Sequence, residues 1–270
     1  MKSLNGLELA GFIKERQAHE VRGLRQAWGI APKLAIVVTV EHPAIDVYMR
    51  MKTRYGADIL IEVETHRITQ ADAPATIQKL NADPTVHGII VQLPLDDPSQ
   101  TDAIVDLVAP EKDVDALGKG AVLDPATPLA ILWLLAGYNV DLNGKKIVLV
   151  GRGKLVGAPL ERMLAASDYD VEVVDRKTPD VKTVVRSADI IITATGQPGL
   201  IVSDMIKENC VVVDAGVAGE QGKTVGDLAN DVYERDDLTI TPRKGGVGPL
   251  TICALFDNVI RAARASAGEK

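Results

Sequence analysis

The sequence predicts an α/β protein of two domains, each a parallel or mostly parallel sheet with helices on both faces. Three observations predict it. Short β-branched apolar runs alternate with amphipathic stretches, the mark of βα units. The connections between them are too short for anything but compact units. The alternation then restarts after Pro125 and Pro128, and the second series carries a glycine-rich loop between a strand and a helix. The 270 residues suit one large domain or two modest ones, at about 150 residues per domain.

The first series opens with an amphipathic helix over 7–28. LAIVVTV (34–40) reads as a buried parallel strand. HPAIDVYMRMKTRYG (42–56) reads as a helix, with Pro43 in its first turn and Gly56 as its stop. ILIEVET (59–65) is the next strand, 70–82 a helix, VHGIIVQL (86–93) a strand ended by Pro94, and 99–108 a helix. The second series runs helix 129–138, strand 145–151, helix 155–166, strand 170–175, helix 180–187, strand 189–195 and strand 210–216. TITP (239–242) adds a possible strand. A long amphipathic helix over 249–267 ends the chain and is placed either against the first domain or across both.

Composition excludes several classes. Apolar residues are 46% and charged residues 25%, which is ordinary globular usage and not that of a disordered or fibrous chain. No apolar run reaches the roughly 18–20 residues that span a bilayer. The start, MKSLNGLELAGFIKERQ, has scattered charges and no apolar core, unlike a signal peptide. The 30 Lys and Arg against 37 Asp and Glu give a net charge of −7, and with aromatics at 3% neither a basic nor a stacking surface for nucleic acid is expected. Cys210 and Cys253 each lie in an apolar run, with no CxxC pair and no metal-ligand spacing among the four histidines. They read as small buried hydrophobes, with no metal site, and fit a reducing cytoplasm.

Five motifs carry chemistry. GRGKLVG (Gly151, Arg152, Gly153 to Gly157) follows a strand and opens a helix, and Asp175 ends the next strand. Such glycines let backbone approach a pyrophosphate at a helix N-terminus. The loop is one residue longer than the common fingerprint. Asp175 suits the free 2′-hydroxyl of NAD, whereas Arg152, Arg176 and Lys177 suit the 2′-phosphate of NADP. Tyr48 and Lys52 stand four apart, so a helix projects phenol and ammonium from one face. Short-chain dehydrogenases share that spacing, but there the glycine loop precedes the pair, and here it follows by about a hundred residues. In IVQLPL (90–95), Gln92 is a polar residue at an apolar strand end and needs either a backbone or a ligand partner. In PEKDVDALG (110–118), Asp113 and Asp115 serve either to cap a loop or to accept the paired N–H bonds of a guanidine-like edge. TPRKGGVGPLT (241–251) forms a fixed loop before the last helix.

Taken in order, Y-x-x-x-K, VQLPL, P-x-KDVD, TP before a helix, GR-x(3)-VG-x-P and GGVGP-x-T resemble the methylenetetrahydrofolate dehydrogenase/cyclohydrolase family, along the whole chain from LAIVVTVEHPAIDVYMRMK to GGVGPLTICALFDNVI. The resemblance implies an N-terminal α/β folate-binding domain over 1–125 with 249–270, a Rossmann-type nucleotide-binding domain over 126–248, a cleft between them, and a homodimer. It implies oxidation of 5,10-methylenetetrahydrofolate with NADP, or with NAD, and hydrolysis of the methenyl product to 10-formyltetrahydrofolate in one-carbon metabolism. Lys52 matches the family's catalytic lysine and Tyr48 the ring that packs on folate. Gln92 matches the partner of Lys52, and Asp115 the anchor of the pterin edge. Val91, Leu93, Gly246, Gly248 and Pro249 match substrate-lining positions. Gly151, Arg152, Gly153, Gly157, Asp175, Arg176 and Val217 match nucleotide-binding positions.

The chain departs from the family pattern in places. Gly153 stands where serine is usual, Ala116 replaces the glycine of KDVDG, and Ala126 begins ATPLA where the family has CTP-x-G. Arg243 and Lys244 replace Val-Pro before GG, and Asp175-Arg176 replaces a His-Ser-type pair. A positive φ at Ala116 would be strained. The competing readings are a monofunctional dehydrogenase, against which Lys52 and Gln92 together speak; a cyclohydrolase with a degraded nucleotide loop, against which the intact GRGKLVG speaks; and a non-enzymatic folate- or nucleotide-binding protein on the same fold.

Overall fold

A computed structural model describes residues 1–220 and 223–268. In chain order the elements are β1 (Lys2–Ser3), α1 (Gly6–Trp28), β2 (Lys33–Val38), α2 (Pro43–Asp58), β3 (Glu62–Arg67), α3 (Ala73–Ala82), β4 (Gly88–Gln92) and α4 (Thr101–Val105). They continue with α5 (Ala126–Gly137), β5 (Ile147–Val150), α6 (Gly157–Ala166), β6 (Val171–Val174), α7 (Val181–Ser187), β7 (Ile190–Thr193) and β8 (Val211–Asp214), then β9 (Ala218–Glu220), β10 (Lys223–Val225), β11 (Thr239–Ile240) and α8 (Val247–Ser266). Two compact units result. One comprises Gly11–Ala126 with Ile252–Lys270, the other Met1–Ala10 with Thr127–Thr251.

The first unit holds a parallel sheet of order β3-β2-β4. β2, the KLAIVV run, is central and buried, and its last residue, Val38, stands opposite Arg67 on one side and Gln92 on the other. Ala35, Val37, Ile77, Ile89, Val91 and Ile104 build the core on one face. Phe256 and Val259 of α8 are fully buried as well. A Cβ on Gly88 would come within 2.8 Å of Val114 and 3.1 Å of Val259, so glycine is what allows β4, the DVD loop and α8 to meet.

The second unit holds a six-stranded sheet, β1-β11-β8-β7-β5-β6, with every pair parallel, and an antiparallel β9-β10 hairpin. The chain order reverses between β5 and β7, the switch point of a doubly wound sheet, and ligands bind outside the carboxyl ends of strands at such a point. Val148, Val150, Ile191, Val212 and Ile240 belong to its core.

Four local differences from the sequence reading have physical causes. Residues 1–10, read with the first domain, belong to the second unit, because Lys2–Ser3 pairs with Thr239–Ile240. The α2 helix does not stop at Gly56 but runs to Asp58. Gly56 lies there because a Cβ would stand 2.6 Å from Val63 and 2.8 Å from the Ile61 carbonyl. β3 begins at Glu62 rather than residue 59, because Leu60 turns the chain at φ 66. The β9-β10 hairpin has no counterpart in the sequence reading. No helix among the described residues is long and apolar enough to cross a membrane.

Candidate active site

In the first unit the functional side chains come from α2, the end of β4 and the DVD loop. Lys52 and Tyr48 share a face of α2, and Tyr48 is 45% exposed. The Lys52 ammonium donates to Gln92 Oε1 at 2.9 Å, while Gln92 Nε2 donates to the Leu93 carbonyl at 2.8 Å. That second bond fixes which way the amide points, and so turns its acceptor toward Lys52. Gln92 thus has both a backbone and a side-chain partner. Burial lowers the Lys52 pKa from its ordinary value, and the Asp115 charge opposes the shift. Burial raises the Asp115 carboxyl in turn, opposed by Lys52.

The two carboxylates of KDVD have different work. Asp113 is buried and accepts the Gly118 N–H at 2.8 Å, closing its own loop. Asp115 faces Lys52. Ala116 takes φ 54, the left-handed conformation that glycine would adopt without cost. Lys112 of the same motif donates to the carbonyls of Leu80, Asn81 and Asp83, covering the C-terminal end of α3, which is a structural task. Asn258 of α8, which the sequence reading passed over, is fully buried and donates to the Val114 carbonyl at 2.9 Å and the Asp124 carbonyl at 2.8 Å. It holds the segment on which Asp115 stands. Its signal in sequence was weak: one asparagine on an otherwise apolar helix face. Of the substrate-lining positions that the resemblance implies, Val91 has its side chain in the core at 3% exposure, and Leu93 is partly buried against that core.

In the second unit the glycine loop sits at the end of β5. Gly151 has φ 102, and a Cβ there would stand 2.8 Å from the Ala194 carbonyl. A Cβ on Gly157 would lie 2.1 Å from the Gly151 carbonyl, so the loop closes on itself only with glycine. At Gly153 nothing lies within 4 Å of such a Cβ. Helix α6 starts at Gly157 with Val156 as its cap residue and no side-chain cap. Pro159 has no N–H and the Ala158 N–H already donates to the Gly153 carbonyl at 3.0 Å, so the backbone offered to a pyrophosphate at this helix start is that of Gly157 and the glycine loop before it.

The flanking charges are partly committed. Arg152 grips Glu161 through two bonds, of 2.7 and 3.1 Å. Asp175 accepts the Lys177 N–H at 2.8 Å and shapes its own turn, with Arg176 exposed at the turn's tip. Val217 is 62% exposed, and its carbonyl faces Gly196. Gly245 has φ 81, Gly246 packs on Thr241, and Gly248 and Pro249 lie in the first turn of α8. Arg243, a departure from the family pattern, stacks on the Tyr233 ring with 4.1 Å to its centroid and bonds Asn230. Both cysteines are buried and outside any disulfide, and burial pushes the Cys210 thiol up to about 12.

Comparison with known proteins decides the family. The tetrahydrofolate dehydrogenase/cyclohydrolase catalytic domain matches residues 4–115, and the NAD(P)-binding domain of the same description matches residues 125–267. The chain belongs to the tetrahydrofolate dehydrogenase/cyclohydrolase family. It is 40% identical to the bifunctional protein FolD of Moorella thermoacetica over 276 residues, which cover 97% of this chain and 98% of that one. The crystal structure of the bifunctional FolD of Campylobacter jejuni superposes with a TM-score of 0.91 at 36% identity, covering 98% of this chain and 99% of that one. The Trypanosoma brucei dehydrogenase-cyclohydrolase, complexed with NADP and an inhibitor, gives a TM-score of 0.90 at 30% identity over 98% and 97% of the two chains. The Lys52–Gln92–Asp115 group therefore stands in the family's catalytic domain and the glycine loop in its NAD(P)-binding domain.

Proposed function

We propose that the chain oxidises 5,10-methylenetetrahydrofolate with NADP and hydrolyses the methenyl product to 10-formyltetrahydrofolate, with Lys52 as the proton-moving group. The observation that carries this is the Lys52–Gln92 hydrogen bond beside Asp115. An amine whose pKa burial lowers, held by a fixed amide acceptor, gives up its proton more readily than an ordinary lysine and can take and return one during the reaction.

The first step needs placement more than a base. Bound NADP supplies the hydride acceptor, and the substrate's own nitrogens stabilise the amidinium left behind. Asp115 receives the pterin's N–H edge, and Tyr48 covers the ring from the same face of α2 as Lys52. In the second step water adds to the methenyl carbon and the Lys52 amine takes its proton. The ammonium then returns a proton to the ring nitrogen as that carbon–nitrogen bond breaks, and the hydroxyl on the carbon releases its own proton to solvent as the formyl C=O forms on the neighbouring nitrogen. A monofunctional dehydrogenase would have no use for this pair.

On the nucleotide side, Gly151, Gly153, Gly157 and the start of α6 hold the pyrophosphate, and Val217 lines the nicotinamide. Arg176 binds the 2′-phosphate, with Asp175 shaping its turn, which favours NADP over NAD. The chain is proposed to work as a homodimer in the cytoplasm, a reducing compartment that suits two buried cysteines outside any disulfide.

The test mixes the protein with methylenetetrahydrofolate and either NADP or NAD, following reduced nucleotide and methenyl absorbance separately. Reduction of neither nucleotide ends the reading. Arg176→Ala should raise the KM for NADP far more than that for NAD, and equal effects would reverse the preference.

A further inference from the structure

We propose that Asp227, a fully buried aspartate outside the glycine loop, is the positioning residue that holds the nucleotide-side loops of the second unit in mutual register, so that dehydrogenase turnover depends on it. The inference rests on the function proposed above. Asp227 is 0% exposed, and its carboxylate is saturated by three donors from the end of β7 and the turn after it. Oδ2 accepts the Thr193 hydroxyl at 2.5 Å and the Thr195 N–H at 2.7 Å, and Oδ1 accepts the Gln197 N–H at 2.9 Å. Those three donors are the last residue of β7 and the turn that follows it.

On its other side Asp227 lies against the turn after β8. A Cβ on Gly216 would come within 2.2 Å of the Asp227 carboxyl carbon. Asp214 completes the lock in the reverse sense. It accepts N–H groups from Gly216 at 2.9 Å, Asp227 at 3.1 Å and Leu228 at 3.2 Å, and a Cβ on Gly226 would stand 2.0 Å from its oxygen. Each aspartate thus rests on a glycine beside the other. Tyr233 bonds Asp214 from behind, and Arg243 stacks on Tyr233.

What the lock holds is the nucleotide end of the sheet. The turn after β7 contains Ala194 and Thr195, which lie 2.8 and 2.9 Å from where a Gly151 Cβ would be. The turn after β8 carries Val217, whose carbonyl faces Gly196. One carboxylate therefore sets the turns after β7 and β8 directly, and the Gly151 loop after β5 through Thr195. These are the strand ends on either side of the switch point, where a nucleotide lies in such a sheet.

An amide cannot do the same. In Asp227→Asn one polar atom becomes an NH2 that must face either Gln197 N–H or Thr195 N–H, donor against donor. Leaving one buried donor unsatisfied corresponds to roughly a tenfold loss in an equilibrium the turn controls. The experiment purifies Asp227→Asn and the milder Thr193→Val, and measures NADPH binding by fluorescence titration, dehydrogenase KM and kcat for NADP, and hydrolysis of added methenyltetrahydrofolate. Asp227→Asn should weaken NADPH binding and raise the KM about tenfold or more, with methenyl hydrolysis within about twofold of the parent. Thr193→Val should shift the KM in the same direction by a smaller factor, and it decides the matter if Asp227→Asn does not fold. Unchanged nucleotide binding in Thr193→Val, or equal loss of both activities in Asp227→Asn, overturns the inference. A parent that reduces neither nucleotide overturns the proposed function instead, and NADPH titration of the two variants still tests the lock.

Discussion

Two pairs of aspartates, Asp113 with Asp115 in the first unit and Asp214 with Asp227 in the second, sit in loops whose close packing demands glycine. Their hydrogen bonds separate them. Asp214 and Asp227 are consumed by backbone N–H groups and the hydroxyls of Thr193 and Tyr233, so nothing of them is left for a ligand. In the first unit only Asp113 is spent this way, on Gly118, while Asp115 is left to face Lys52. A carboxylate satisfied by its own backbone builds a loop. A carboxylate balanced against a half-buried ammonium is available for chemistry. Spacing in the sequence does not distinguish the two, because hydrogen-bond demand is set by where the intervening backbone N–H groups point.

The strongest way to break this contrast is Lys52→Met. If the Lys52–Asp115 pair is the chemical one, methenyl hydrolysis should fall by about 10²–10⁴-fold, the range for losing a general acid or base, while NADP reduction remains substantial. Hydrolysis at the parent rate would remove Lys52 from the mechanism. The pH profile sharpens the same point. The acting form is the neutral amine, and burial lowers the Lys52 pKa, so the rate should rise with pH through a midpoint below the ordinary 10.5. Asp115 opposes that lowering, so Asp115→Asn should move the midpoint lower still. A midpoint that moves upward would mean that Asp115 does not act on Lys52 through its charge.

Much of this was legible beforehand, and the rest was not for identifiable reasons. Strands β2, β4, β5, β7 and β8 are rich in Val and Ile, and the family motifs named Lys52, Gln92 and Asp115 before any geometry. What escaped is what short or tertiary interactions decide. β1 is two residues long, too short to show a period, and pairs across the chain with Thr239–Ile240. Gly56 read as a helix stop because its reason for being glycine, the approach of Val63, lies outside its own helix. Asn258 works through backbone groups far off in sequence, and Asp227 through backbone groups and the Thr193 hydroxyl, equally far off. Arg243 is in sequence only a departure from the family pattern, and its task, stacking on the ring of Tyr233, appears only in three dimensions.

A smaller effect separates the two pairs by their glycines. Gly216→Ala would put a methyl 2.2 Å from the Asp227 carboxyl carbon, whereas Gly118→Ala would put one 3.1 Å from an oxygen of Asp113. The first carboxylate is locked by three donors and cannot step aside, so overpacking should cost about 1–3 kcal/mol. In the second a shift of a few tenths of an ångström suffices, and the cost should stay under about 1 kcal/mol. Urea unfolding midpoints compare them, and equal costs would show the two pairs to be equally rigid. Asn258→Leu comes next. It strips donors from the Val114 and Asp124 carbonyls, and should destabilise by about 1 kcal/mol and raise the KM for folate through Asp115. The loss stays at the low end because Asn258 Oδ1 is itself buried with no partner among the described residues, and leucine removes that unpaired acceptor too. An unchanged folate KM would detach Asn258 from the site.

The smallest expected effect is a gain, from Ala116→Gly. Ala116 has φ 54, where a Cβ crowds the following carbonyl at a cost of about 1–2 kcal/mol. Glycine removes that crowding. It also gives the unfolded chain more freedom, which takes back about 0.4–1 kcal/mol. The difference leaves a net stabilisation of about half to one kcal/mol, visible as a raised urea midpoint with an unchanged slope. The position matters beyond stability because Ala116 follows Asp115 directly. If the strain is taken up by the loop that Asp113 closes through Gly118, relieving it should leave the folate KM and the hydrolysis pH profile as they are. If instead the strained backbone helps to aim Asp115 at Lys52, the glycine variant will be more stable and yet show a shifted pH midpoint. A lowered urea midpoint would mean that Ala116 is not strained at all, and that its left-handed turn is fully offset by the hydrogen bonds around it.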